Sequence, residues 1–191
     1  MTRLMIVVGS VRPGRIGLPI AQWVNATAET HGDFEIDLVD LAELALPFMD
    51  EPNHPRLRNY THQHTIDWSA RVDAADAFIF VTPEYNHSYS PALKNALDYL
   101  SQEWRHKPLG FVSYGGLSGG TRGIVGLEPA TVALGLIVIS PRVEMNFPAK
   151  QLTDDGEFEP TEQQATVLAA LLGELPRVTG ALAALRAGAA V

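Results

Sequence analysis

The sequence predicts an α/β protein in which helices cover both faces of a parallel β-sheet. Short apolar runs rich in β-branched residues alternate along the chain with segments of helical periodicity. That alternation favours right-handed crossovers between parallel strands. The 191 residues show no internal repeat and no change of composition, so we expect residues 1–191 to form a single domain with one hydrophobic core.

The N-terminal quarter predicts two strands and the helix between them. Residues 4–8 are all apolar, as in a strand that is buried on both faces. A helix is expected from near Leu18, with Pro19 in its first turn, to near Gly32. Residues 34–41 begin with alternating apolar and acidic side chains, which predicts the second strand.

The middle of the chain predicts a third strand and a capped helix after an irregular stretch. Residues 41–61 carry three prolines and fit a lid, an interface arm or a plain connection. Residues 77–81 are apolar and predict the third strand. Ser90 and Pro91 then open a helix, because serine caps free amides and proline fits a first turn. The expected buried stripe of this helix consists of Leu93, Leu97 and Leu100.

Two more strands are predicted with a helix between them. Residues 109–112 form the fourth strand, and residues 137–139 form the fifth. The helix between them is expected from about residue 121 to residue 134, with a kink at Pro129 and Gly135 as its C-cap.

A C-terminal helix closes the predicted fold. Thr161 and Gln164 have the spacing of a capping box at its start. We expect Pro176 to bend or break this helix and residues 186–191 to fray. Its buried stripe is predicted to consist of Leu168, Leu171, Leu172 and Leu175.

Five strands joined by crossover helices predict the flavodoxin-like strand order 2-1-3-4-5, in three layers. In open parallel sheets, ligands bind beyond the carboxyl ends of the strands, where the strand order reverses. We therefore expect function in the loops after strands one, three and four, which are rich in small and polar residues.

Composition excludes several classes of function. The formal net charge of −8 argues against a nucleic-acid partner and against attraction to anionic lipid. Without cysteine the chain has no thiolate nucleophile or iron–sulfur ligand, so redox chemistry requires a bound cofactor. His62 and His64 are interpreted as solvated polar residues and not as a metal site. The N-terminal apolar run is too short for a signal sequence or a membrane span, so we expect a cytoplasmic protein with no membrane partner.

The first loop, residues 9–17, joins a buried strand to a helix N-terminus. Free amides and the helix dipole favour a phosphate at such a place. Ser10 can donate a hydroxyl hydrogen bond, and Arg12 and Arg15 can supply positive charge and forked donors. The loop matches neither the GxGxxG nor the Walker pattern, which disfavours a standard dinucleotide fold and a nucleotide triphosphatase.

The second loop, residues 82–91, lies between the third strand and the capped helix. Tyr85 offers a flat face on which an aromatic ring can stack, and Asn86 can bond a heterocycle edge or cap the loop. Glu84 could act as an acid or base, or could simply pair with a neighbour. An ordinary strand–helix turn explains these residues equally well, so the second loop alone leaves both interpretations open.

The third loop, residues 113–120, follows the fourth strand and contains four glycines. Glycine lets the backbone approach a flat ring closely. Exposed amides there could stabilise negative charge on a reduced ring. The alternative is a flexible connector.

The three loops together resemble the NADPH-dependent FMN reductase family, which is flavodoxin-like and includes quinone and chromate reductases. The resemblance covers about the first three-quarters of the chain. The first loop resembles the GSxR phosphate loop of the family, and the third resembles its quinone-reductase branch. The most specific match is Pro83-Glu84-Tyr85-Asn86 followed by the LKNALD run that begins at Leu93.

The resemblance implies a role for each matched position. Those expected around the FMN phosphate are Ser10, Arg12, Ile16 and Gly17. Those expected at the isoalloxazine ring, largely through backbone, are Pro83, Glu84, Tyr85 and Asn86. Those expected at its pyrimidine side are Ser113, Tyr114, Gly115 and Gly116. Arg15 departs from the serine or threonine of many members, and it either binds phosphate or faces the nicotinamide nucleotide.

The implied function is an FMN-dependent NAD(P)H oxidoreductase. A ping-pong reaction would carry a hydride from NADPH or NADH through the flavin N5 to a small acceptor such as a quinone or free flavin, with no catalytic side chain and no metal. One alternative is a flavodoxin-like electron carrier, against which the arginines of the first loop argue. Another is a flavin-responsive interaction module, which residues 41–61 could serve.

Self-association is the last expectation. The resemblance implies a homodimer or homotetramer with the site near the subunit boundary. The sequence itself offers the apolar helix at residues 92–100, with Lys94 and Asp98 as candidate edge residues.

Overall fold

Five parallel strands form one sheet in the computed structural model, which describes residues 1–188. The strands are β1 (Thr2–Val8), β2 (Phe34–Asp40), β3 (Ala77–Pro83), β4 (Pro108–Gly115) and β5 (Ile137–Asn146). Their order in the sheet is β2-β1-β3-β4-β5, with every neighbouring pair parallel. The predicted strand order is therefore confirmed.

Helices cover both faces of this sheet, as predicted. They are α1 (Gly17–His31), α2 (Leu41–Leu44), α3 (Gln63–Ala74), α4 (Pro91–Asp98), α5 (Thr121–Ala133) and α6 (Glu162–Gly188). Leu4, Ile6 and Val8 of β1 join the core beneath α1 and α6, whereas Met5 and Val7 join the core beneath α3, α4 and α5. Because successive side chains of a strand point to opposite faces, one apolar run supplies both cores.

The predicted caps at the starts of α4 and α6 are present, whereas the prediction of Gly135 as the C-cap of α5 was wrong, because α5 ends at Ala133 with Leu134 as its C-cap. Ser90 Oγ accepts from the Leu93 amide at 3.5 Å and donates to the Gly9 carbonyl at 2.5 Å, so the start of α4 is bonded to the end of β1. Thr161 and Gln164 form the reciprocal bonds of a capping box, at 3.2 and 2.8 Å. Such caps depend on residues three apart, which is why sequence alone identifies them.

Several predicted boundaries were wrong. The fifth strand does not end at residue 139 but continues to Asn146, because pairing with β4 resumes at Arg142 after a bulge that contains Pro141. Proline is tolerated there since β5 is an edge strand. The helix α4 ends at Asp98. Leu100, which was predicted to belong to the buried stripe of this helix, is buried but lies beyond its end.

The C-terminal helix was predicted to bend or break at Pro176, and of these two outcomes the break was wrong. The α6 helix is not broken at Pro176 but continues through it, and it includes Arg186. The predicted fraying of the last three positions lies outside the described residues. The α5 helix continues through Pro129, as predicted, and the kink expected there stays a prediction.

The α3 helix was not predicted from the sequence. Its buried positions are Thr65, Trp68, Ser69 and Val72, which have helical spacing. Two of the four are small and polar, so the periodic apolar signal is weak. This helix supplies the crossover between β2 and β3.

Residues 41–61 are a connection fastened to α4. Asn95 Nδ2 donates to the Pro47 carbonyl at 2.7 Å, and Asn95 Oδ1 accepts from the Met49 amide at 3.1 Å. His64 bonds Asp50 at 3.0 Å and stacks on His62, with the ring centroids 5.3 Å apart. These histidines therefore help to hold the connection in place.

By length and hydropathy, α6 could cross a membrane. One face of α6 packs against the sheet. The four predicted leucines are fully buried against the sheet, namely Leu168, Leu171, Leu172 and Leu175.

Candidate functional site

The three predicted loops converge on one cavity of about 580 Å³ at the carboxyl ends of β1, β3 and β4. Arg12, Tyr85 and Gly115 all line it. The other predicted residues that line it are Ser10, Arg15, Ile16, Pro83, Glu84, Tyr114 and Gly116. Three predicted residues do not line it, namely Gly17, Asn86 and Ser113.

The first loop presents unbonded backbone amides. The Ile16 position that precedes α1 provides no side-chain cap. Within residues 1–188, the amides of Ser10, Val11, Arg12 and Gly17 donate no hydrogen bond to the protein. Arg12 is exposed and forms no ion pair in the same described range. Uncapped amides at a helix N-terminus beside a guanidinium form a receptor for an anionic group.

Arg15 is engaged differently from Arg12. Its Nη2 atom pairs with Asp40 at the end of β2, where the carboxylate also accepts from the Ala42 amide at 2.9 Å. The Asp40 side chain is only 5% exposed, so this ion pair is largely removed from water. The Nε of Arg15 is buried and has no partner among the described residues. Arg15 therefore joins the first loop to β2, and it lines the cavity with its Nε buried beneath the surface.

A short hydrogen bond joins the first loop to the second. Ser10 Oγ and Tyr85 Oη lie 2.5 Å apart, so the ring of Tyr85 is held at the cavity wall. Tyr85 and Ser88 exchange backbone hydrogen bonds at 2.9 and 3.0 Å. The turn between them has positive φ angles at Asn86 and His87, 50° and 65°. Asn86 is therefore at the exposed tip of the turn, away from the cavity.

Glu84 fastens the second loop to the third. Its carboxylate accepts from Ser118 Oγ at 2.5 Å and from Arg122 Nε at 2.7 Å, and its amide donates to the Tyr114 carbonyl at 2.9 Å. Burial acts to raise the pKa of Glu84, but the hydrogen bonds from Ser118 and Arg122 outweigh it and lower that pKa. With both oxygens occupied, Glu84 is placed for holding the loops and not for proton transfer.

The third loop brings backbone to the cavity surface. A Cβ atom on Gly115 would lie 3.2 Å from the Gly120 amide and 3.3 Å from the Glu84 side chain, so a larger residue there would require these neighbours to shift by a few tenths of an ångström. Ser113 is fully buried and donates to the Gly119 carbonyl at 2.9 Å. Its side chain thus shapes the loop from beneath.

Tyr114 and Gly17 fit against each other beneath the cavity. A Cβ atom on Gly17 would lie 2.4 Å from Tyr114 Oη. That hydroxyl is buried without a hydrogen-bond partner in the described residues, and burial raises the pKa of Tyr114. Gly17 therefore does not line the cavity, but it allows the N-terminus of α1 to approach β4.

A fourth segment, which the sequence did not predict, also lines the cavity. It consists of Phe147, Pro148, Ala149 and Lys150. It follows β5, which the sequence predicted to end several residues earlier. No local pattern connects this segment to the three loops, because its place depends on the pairing of β5 with β4.

The cavity has the features of a phosphate-bearing cofactor site. It combines an anion receptor with a glycine-walled slot, at the edge of a 2-1-3-4-5 sheet where such folds bind their ligands. The fold and the site together define a flavodoxin-like cofactor-binding protein.

Comparison with known proteins identifies the family. The model of the NADPH-dependent FMN reductase family matches residues 2–149. The chain is 43% identical to an NAD(P)H-dependent FMN reductase of Schizosaccharomyces pombe over 120 residues, which cover 62% of this chain and 60% of that protein. It is 31% identical to an FMN-dependent NADPH-azoreductase of Staphylococcus saprophyticus over 86% of this chain and 84% of that one. The chain belongs to the NADPH-dependent FMN reductase family.

Solved structures support the same fold. The flavoenzyme NAD(P)H:(acceptor) oxidoreductase FerB of Paracoccus denitrificans has a TM-score of 0.73 at 22% identity, covering 95% of this chain and 97% of that chain. At that identity the likeness concerns the fold alone. The matches to the yeast and fungal FMN reductases span 60–65% of the length of those proteins.

Proposed function

We propose that this protein is an FMN-dependent NAD(P)H oxidoreductase that reduces a small acceptor such as a quinone or free flavin. The observation that carries the proposal is the convergence of the three loops on one cavity with an anion receptor. The names of its relatives agree with this chemistry. A cavity of about 580 Å³ is within the usual range for cofactor and ligand sites.

Each loop has a proposed part in holding FMN. Ser10, Arg12 and the amides near Gly17 would hold the phosphate. Backbone of residues 83–86 and 113–116 would contact the ring. The buried Tyr114 Oη and Arg15 Nε are polar atoms without a protein partner, and a polar cofactor offers them acceptors. The residues present therefore fit FMN.

When bound, FMN supplies a hydride-accepting N5, so that one hydride from NAD(P)H and one proton from solvent can convert a quinone to a hydroquinone in two successive half-reactions. The protein contributes position and a polarised environment. Small residues such as Gly115 and Gly116 leave space beside the second and third loops, as a ping-pong site requires for donor and acceptor in turn.

The direct test is a visible spectrum of the purified protein with added FMN. We expect flavin absorbance to stay with the protein, and steady NAD(P)H oxidation in a screen of quinones, free flavins and azo dyes. Protein that stays colourless would overturn the proposal. Flavin binding without NAD(P)H oxidation would instead favour the electron carrier.

The receptor role of Arg12 can be tested by Arg12→Gln. We expect the Kd for FMN to rise about tenfold or more, since a hydrogen bond to a charged group contributes about 1.5–3 kcal/mol. Titration of flavin fluorescence measures this Kd. Arg177→Gln is the matched control, because Arg177 is 78% exposed on α6. Equal affinity for FMN in the wild type, Arg12→Gln and Arg177→Gln would show that Arg12 does not bind the phosphate.

We further propose that the protein works in the cytoplasm.

We also propose that the protein self-associates through α4 as a homodimer or homotetramer. An apolar groove of about 450 Å³ lies between α4 and residues 41–48, and Val11 is one of the residues that line it. Phe48 lines it and is 86% exposed. We expect Phe48→Glu to shift the sedimentation coefficient to that of a monomer. A wild-type protein that is already monomeric at all concentrations would contradict this.

A further inference from the structure

The 147–150 segment is bonded to the third loop. The Phe147 amide donates to the Gly115 carbonyl at 2.8 Å. Asn146 Nδ2 donates to the carbonyls of Gly116 and Leu117, at 3.1 and 2.7 Å. One hydrogen bond from the segment and two from Asn146 directly before it thus hold the start of the segment beside the glycines that would contact the flavin ring. The cavity has a fourth wall that is as well anchored as the loops.

Phe147 is held in a conformation that aromatic residues rarely adopt. Its φ and ψ are 49° and 48°, in the left-handed region. The residue is 49% exposed, and its ring lies 3.6 Å from the position of a Cβ atom on Gly116. Strained residues of this kind persist where surrounding contacts fix them, and they concentrate at ligand sites. The fixed backbone therefore keeps an apolar ring at the cavity surface.

Lys150 supplies a cation beside that ring. Its Nζ lies 5.9 Å from the centre of the Phe147 ring, and it forms no ion pair within residues 1–188. The other charges that line the cavity are already paired, Arg15 with Asp40 and Glu84 with Arg122. Among the described residues that line the cavity, Arg12 is the other charged side chain without an ion pair. In a chain with net charge −8, these two exposed cations without an ion pair give the cavity two places for anionic groups.

We propose that Phe147 and Lys150 form the docking edge for the pyridine nucleotide. The inference rests on the proposed function, in which Arg12 and the first-loop amides take the FMN phosphate. Lys150 then pairs with a phosphate of NAD(P)H, and the Phe147 ring packs against its nicotinamide. The two residues determine how tightly the donor binds, and neither takes part in the hydride transfer itself.

The substitution Lys150→Gln distinguishes binding of the NAD(P)H phosphate from binding of the FMN phosphate. We expect KM for NAD(P)H to rise about tenfold with kcat unchanged at saturating donor, and the Kd for FMN to stay at the wild-type value. With N-benzyl-1,4-dihydronicotinamide, a donor that lacks phosphates, kcat/KM should not change. Calorimetric titration with ADP-ribose gives a readout independent of turnover and should show weaker binding. Arg177→Gln removes a distant charge and is the control.

Phe147→Gly tests the ring contact without disturbing the turn, because glycine accepts the positive φ. We expect KM to rise for both donors, since both contain the dihydronicotinamide ring. A rise in KM for NAD(P)H alone would contradict the contact between Phe147 and the nicotinamide.

The outcomes distinguish this inference from the proposed function. If wild-type protein binds no FMN, both are overturned. Three results with an active wild-type protein would show that the docking edge is wrong while the proposed function stands. In these results Lys150→Gln weakens FMN binding, raises KM equally for both donors, or leaves KM unchanged for both. Loss confined to NAD(P)H and ADP-ribose supports the docking edge.

Discussion

At the scale of single residues, the contact between Gly17 and Tyr114 sets how closely α1 approaches the sheet. Gly17→Ala would place a Cβ atom 2.4 Å from Tyr114 Oη, and we expect it to lower the free energy of unfolding by about 1–3 kcal/mol. Tyr114→Phe removes a buried hydroxyl without a partner, so without flavin it should leave stability unchanged or higher. Urea titrations measure both.

The double variant is the decisive control for this contact. Without the hydroxyl, the nearest atom to the new methyl group is the ring carbon at 3.3 Å, so Gly17→Ala should cost less in the Tyr114→Phe background. Additive effects of the two substitutions would show that the contact is not what requires glycine at position 17.

At the scale of elements, Glu51 fastens residues 41–61 to the start of α3. Its carboxylate accepts from the amides of Thr61 and His62, at 2.9 and 3.0 Å. Burial acts to raise the pKa of Glu51, but these backbone hydrogen bonds outweigh it and lower that pKa to about 2. This bonding takes the place of a side-chain cap, which His62 does not provide.

The Glu51 bonds predict a pH dependence of stability. A carboxyl with a depressed folded-state pKa stabilises the fold fully above its unfolded value of 4.5, and that contribution is lost as the pH falls towards 2. We therefore expect the unfolding free energy of Glu51→Gln to fall less steeply than that of wild type across this window. Glu43→Gln, at an exposed position on α2, should keep the wild-type slope.

At the scale of the whole molecule, both cores share one sheet. Residues from β1, β3 and β4 contribute to each core, so neither core can be lost without exposing the other face of the same strands. We therefore propose that the chain unfolds as a single domain. Fluorescence and circular dichroism should give coincident denaturation curves, whereas separate transitions would indicate two units.

Flavin binding should act on this whole-molecule transition. A ligand that binds only the folded state adds about 2.7 kcal/mol at one hundred times its Kd, and each kcal/mol raises Tm by about 2–4 °C in a protein of this length. We expect FMN to raise Tm by roughly 5–11 °C at that concentration. Riboflavin, which lacks the phosphate, is the control and should have a smaller effect. An equal shift would contradict the anion receptor.

Residue patterns alone were sufficient for the order of the sheet, the caps at Ser90 and Thr161, and the three loops of the cavity. Each of these depends on neighbours a few positions apart, or on the rule that parallel strands end at the same edge. The α3 helix escaped prediction because polar residues occupy part of its buried face. The true end of β5 was not predicted because pairing with β4 extends the strand beyond Pro141.

The tertiary structure decided which side chains within the loops remain available to a ligand. Arg12 and Arg15 have similar chemistry in the sequence, yet only Arg15 meets a carboxylate, on a strand 25 positions further along. Lys150 joins the cavity only because β5 lies beside β4. Such pairings bring together residues distant in the chain, so they follow from packing of the whole sheet and leave no local pattern to recognise.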